Sequence, residues 1–204
     1  MKAVAGVDIG GSRKGFHAVV LRDGAFFAQF ASKDPWEIAA WCNDLGAQFI
    51  GVDAPCEWSA GGGSRPAERE LHNLGVHCYF TPTQEKAKAH VKGFYDWVFN
   101  GIRLFEVLEA THPLYAGGTP LAPTCFETFP HAAACALAGK VVSAKQKSTI
   151  RRALLEAAGL PSSLFSNQDK VDAALCALTA HRFSVGKFRV YGEAGTGLIV
   201  VPAE

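Results

Sequence analysis

The sequence predicts an α/β fold on a mixed sheet, an antiparallel three-strand meander followed by parallel strands, with helices on both faces. Two observations carry it. Residues 16–21 (FHAVVL) and 25–30 are short apolar runs joined by Asp23-Gly24, a tight hairpin signal, and residues 3–9 (AVAGVDI) before them complete a meander. A helical pattern then separates the meander from a further apolar run at 48–53 (QFIGVD), and a strand reached across a helix is best placed parallel to the first.

The first run ends on a carboxylate, Asp8, with Gly10-Gly11-Ser12 following as a turn. Burying an ionised Asp is costly unless it is paired, hydrogen-bonded or metal-bound, so Asp8 is either a cap on the turn or part of a site. Alternation puts Asp8 on the face of Val4 and Gly6, where Gly6 leaves room for another element to approach. Asp34 and Pro35 then open a helix as N-cap and first helical residue, with Trp36, Ala39 and Ala40 following at helical spacing. The strand at 48–53 also finishes in an acid, Asp53. Two parallel neighbours would thus both carry Asp at their carboxyl ends, where ligands bind in open α/β sheets.

Residues 56–64 (CEWSAGGGS) form a Gly-rich connection that lacks the Lys of a P-loop. Ser64 is expected to cap a helix carrying Arg65, Glu68, Arg69 and His72 along one side. The apolar stretch 77–83 should lead to a long helix over 90–109, whose stripe of Val91, Phe94, Tyr95, Val98, Ile102, Phe105 and Leu108 is assigned to the core. A Pro/Gly-rich crossover at 112–124 precedes a short strand at 125–129, in which Glu127 alternates with Cys125 and Phe129. Helices at 132–138 and 148–158 each stop at a glycine, and Lys140, Lys145, Lys147, Arg151 and Arg152 make a basic patch around the second. The last helix, at 167–182, carries Asp169 and Asp172 on one face, and Asp172 leads into the small residues Ala173-Ala174 that must pack on the sheet. Residues 197–201 read as a final strand.

A length of 204 residues fits one domain over 1–204, and 49% hydrophobic with 19% charged residues describes an ordinary globular chain. The net charge of +1 neither points to nor excludes nucleic acid. The six cysteines show no C-x-x-C pair and read as reduced thiols. No leader and no long apolar run are visible, so a cytoplasmic protein without membrane contact is expected.

Asp8, Asp53, Glu127, Asp169 and Asp172 form the candidate acidic set, with Asp8, Asp53, Glu127 and Asp172 converging on one cleft and Asp169 more peripheral. Crowded carboxylates repel one another, and Mg²⁺ or Mn²⁺ is the natural counter-charge. Two such ions would clamp the attacking and leaving oxygens of a phosphodiester. Arg65, Arg69, Lys145 and Arg152 are the groups expected to guide a phosphate backbone.

This order of elements resembles the RNase H-like nuclease and resolvase superfamily. GVDIGGSRKGFHAVVL, GVDAPCEW, SRPAERELHNLG, CFETFPHAA and DKVDAALCALTA resemble more closely the predicted RNase H-like nucleases catalogued as the domain-of-unknown-function family numbered four hundred and twenty-nine. The resemblance implies an RNase H-like fold and metal-dependent phosphodiester hydrolysis on DNA or RNA. Two other readings stand beside it. One is a non-catalytic scaffold on the same fold that binds a nucleic acid or protein. The other is a one-lobed relative of sugar-kinase or actin-like ATPases, whose first phosphate-binding turn Asp8-Ile9-Gly10-Gly11-Ser12 resembles. No aromatic-plus-basic stretch stands out to choose between single strand and duplex.

Overall fold

In the computed structural model, which describes residues 2–203, the meander consists of β1 (Ala3–Ile9), β2 (Phe16–Arg22) and β3 (Ala25–Ser32). Asp34 accepts from the Trp36 amide at 2.9 Å and starts α1 (Pro35–Asp44), which returns the chain to β4 (Ala47–Asp53). The remaining elements are α2 (Pro66–Asn73), α3 (Gln84–Lys88), α4 (Asp96–Leu108), β5 (Thr124–Thr128), α5 (Pro130–Ala138), α6 (Lys147–Ala157), α7 (Gln168–Ser184), β6 (Phe188–Tyr191) and β7 (Ile199–Pro202). The seven strands form one sheet in the order β3-β2-β1-β4-β5-β7-β6. β1, β4, β5 and β7 are mutually parallel, whereas β2, β3 and β6 pair antiparallel with their neighbours. This is the mixed sheet expected, an antiparallel meander followed by parallel strands, with helices on both faces. No helix of the described residues is long and apolar enough to cross a membrane. All six cysteines are free thiols.

The two faces of the sheet are covered differently. On one, Val7, Val52 and Cys125 pack against Ile38 of α1 and Leu104 and Leu108 of α4. On the other, Val4, Phe49 and Phe126 meet α7, whose residues are buried almost all round because α5 and α6 cover its outer side. Gly6 and Gly51 let α7 come this close: a Cβ at Gly6 would collide with the backbone of Ala173 and Ala177, and one at Gly51 would lie 2.9 Å from the Cys176 carbonyl. The room left by Gly6 is therefore filled by the helix that carries Asp169 and Asp172.

Three local expectations are corrected. The helix expected over 90–109 begins only at Asp96, because Gly93 adopts φ +61° and breaks the run; Val91 is 95% exposed and lies outside the core. The N-cap of α2 is Arg65 rather than Ser64, its amide donating to Glu68 Oε2 at 2.9 Å. The edge strand β6 was not foreseen: its four residues are only partly buried and follow Gly186, too short a run to show an alternating pattern.

Candidate active site

The parallel pairing of β1 with β4 sets Asp8 directly beside Asp53 at the carboxyl ends of both strands, on the face that α7 covers. The two carboxyls lie within hydrogen-bond reach of each other. Burial pushes the Asp8 carboxyl well above the usual range, and Asp53, Asp172 and Asp169 add to the effect. Burial, followed by the charge of Asp172, likewise pushes Asp53 up to about 8. The pair therefore retains a shared proton near neutral pH. Asp8 does not cap the turn after it: backbone bonds close that turn, Gly10 N to Gly15 O at 2.7 Å and Gly15 N to Gly11 O at 3.0 Å. Asn100 of α4 pins the turn from outside, its Nδ2 donating to Gly10 O at 2.9 Å.

The first turn of α7 brings two further acids, each already matched to a cation. Asp172 is buried and accepts from Arg151 Nη1 at 2.5 Å and from Gln168 Nε2 at 2.7 Å. Asp169 lies nearer solvent and binds Lys14 Nζ at 2.8 Å. Arg151 is itself buried, and its Nε has no hydrogen-bond partner among the described residues. His17 is the register partner of Asp8 on β2, with a buried Nδ1 that is also unpartnered; burial lowers its pKa, so the ring is neutral at pH 7. Sequence reasoning missed His17, Lys14, Gln168 and the pairing role of Arg151. Only the i,i+4 spacing of Gln168 and Asp172 was visible in the chain.

Glu127 does not join this group. It is in register with Val52, so it alternates to the opposite face from Asp53. There Arg65 holds it through Nη1 at 2.8 Å and Nη2 at 2.5 Å, while the Cys56 amide donates to it at 2.9 Å. Arg65 also donates from Nε to Glu68 at 3.1 Å, and Glu68 in turn accepts from the Thr81 amide at 3.0 Å. This corrects the expectation for Arg65: at 4% exposure and bonded to two glutamates, it is a structural cation and no guide for phosphate. The network still touches the site, because Cys56 lies three residues beyond Asp53 and Glu127 fixes the loop between them. Arg69 and Lys145 are exposed, and Arg152 donates to the Ser162 carbonyl at 2.9 Å. The arginine that reaches the acids is Arg151, its sequence neighbour.

Among the described residues no group of three or more His, Cys, Asp and Glu side chains could hold a metal ion as it stands. The donor set nonetheless suits one hard cation. Mg²⁺ is usually bound through one or two carboxylates, with water and substrate phosphate completing its shell, and Asp8 and Asp53 are two such carboxylates side by side. Asp172 and Asp169 are committed to Arg151 and Lys14, so a second ion would first have to displace these partners.

Comparison with known proteins bears on the family. None of the curated proteins compared matches the chain. The Thermus thermophilus RuvC structure is similar with a TM-score of 0.48 at 15% identity, over 90% of this chain and 96% of that one. The family model described as "Protein of unknown function (DUF429)" matches residues 6–196, and the chain belongs to that family.

Proposed function

We propose that this protein is a divalent-metal-dependent phosphodiesterase acting on nucleic acid, with Asp8 and Asp53 as the ligands of Mg²⁺ or Mn²⁺. The observation that carries the proposal is the side-by-side placement of these two carboxyls at the strand ends, Asp8 buried and Asp53 half-buried. Such a pair is held at a cost in stability, as groups kept for function often are. A bound ion supplies Lewis-acid polarisation of a phosphoryl oxygen and a water of lowered pKa.

The other side chains have separate tasks. Asp8 and Asp53 would hold the cation as carboxylates, and would release the proton that burial favours. Arg151 holds Asp172 in place and keeps a fixed positive charge beside the pair, favourable to an anionic phosphoryl group. Lys14 does the same for Asp169 at the rim. His17, neutral and unpartnered at Nδ1, is placed on the Asp8 face to accept a proton.

The test is hydrolysis of a small phosphodiester and of oligonucleotides with Mn²⁺. Wild-type activity should vanish with chelator, and Asp8→Asn should lower it by about 100-fold or more, the scale of losing one group that stabilises transition-state charge. Cleavage that survives both chelator and Asp8→Asn overturns the assignment. A wild type that binds nucleic acid but never cleaves supports the scaffold reading instead.

A further inference from the structure

We propose that the segment 77–95, between α2 and α4, is a stacking platform that feeds an unpaired nucleic-acid strand to the acid pair; the inference rests on the proposed function and names its substrate class. Tyr79 is 75% exposed and Phe94 is 47% exposed. Their rings meet edge to face with centroids 5.9 Å apart, and Phe94 continues to Tyr95 at 4.9 Å and to His90 at 5.5 Å. Aromatic rings gathered in water bury little of their own surface, so the cluster is poor core and good contact surface. The charge of the segment is one-sided: Lys86, Lys88 and Lys92 are exposed against a single acid, Glu85.

The placement ties this surface to the site. Tyr79 and Asp53 line one cleft of about 80 Å³ at the carboxyl ends of the strands. At the other end of the segment, Tyr95 is the N-cap of α4, and the next residue, Asp96, packs 3.7 Å from where a Cβ on Gly11 would stand. The platform thus touches the strand exit of Asp53 at one end and the turn after Asp8 at the other.

The combination selects an unpaired strand. In a duplex the base faces are closed in the stack, so exposed rings would have nothing to stack on. In a single strand each base presents a π-face, and rings beside lysines bind bases and phosphates together. A protein partner would favour an interface core depleted of charge, whereas this segment carries three exposed lysines.

Fluorescence anisotropy in chelator measures binding without cleavage. A labelled single-stranded oligonucleotide should bind wild type more tightly than the matching duplex, and binding should weaken as salt rises. Tyr79→Ala and Phe94→Ala should each weaken single-strand binding by about 5- to 150-fold, while Tyr79→Phe, which keeps the ring, should bind like wild type. Val185→Ala, which trims an exposed residue just past the far end of α7, should bind like wild type as well. Duplex bound as tightly as single strand, single-strand binding unmoved by either alanine variant, or no binding of either oligonucleotide overturns the platform. Small-diester hydrolysis separates the two proposals, since it reads the acids alone. Hydrolysis with ring-independent binding sinks the platform only; ring-dependent binding without hydrolysis sinks the catalytic reading only.

Discussion

Alanine at Gly6 will destabilise the protein by more than about 3 kcal/mol, the upper end of what overpacking a core costs. One added carbon would collide with Ala177 N and Ala173 O, backbone atoms of α7 that cannot rotate away as a side chain can. The helix must then lift from the sheet, and the packing of α7 on β1 and β2 loosens with it. Because α7 carries Asp169 and Asp172, the same shift draws both acids away from Asp8. Urea unfolding midpoints measure the effect. Gly61→Ala is the control, since nothing lies within 4 Å of a Cβ there, and it should stay within about 0.5 kcal/mol of wild type. Equal midpoints for the two variants would show that α7 does not rest on Gly6.

Arg65→Ala should cost about 3–5 kcal/mol, the range for removing one partner of a buried ion pair. It strands Glu127 and Glu68, both buried, without their common cation. A surface arginine guiding phosphate would behave differently, its loss leaving stability within about 0.5 kcal/mol of wild type. Denaturant titrations of wild type and Arg65→Ala at pH 7 distinguish these outcomes.

What the chain discloses by itself follows from how local each cause is. The Asp23-Gly24 turn, the Asp34-Pro35 helix start and the acid at each strand end act within a few residues, and they suffice to place β1 to β4 and to set Asp8 beside Asp53. Even the approach of α7 was announced by Gly6. The counter-charges were hidden because they come from far along the chain. Lys14 meets Asp169 across 155 residues, Arg65 meets Glu127 across 62, and Arg151 meets Asp172 across 21. Alternation also misled at Glu127, since an acid inside an apolar strand signals only that something compensates it, and here that is Arg65 and not a metal. Residues 90–95 continue a helical spacing of apolar groups, but Gly93 turns the chain; Val98, Phe105 and Leu108 of the stripe reach the core, whereas Val91 and Phe94 at its start are exposed.

The reading of Asp8 and Asp53 as a cation site is tested most directly by calorimetric titration of Mn²⁺ into metal-free protein at pH 7, in two buffers of different ionisation heat. Wild type should bind with release of protons, because the two carboxyls give up the proton that burial makes them hold. Asp8→Asn should bind about 10- to 100-fold more weakly or worse, given that even an outer-shell partner of a metal ligand is worth that much. Absence of binding heat in the wild type, or equal affinity in wild type and Asp8→Asn, would contradict the assignment.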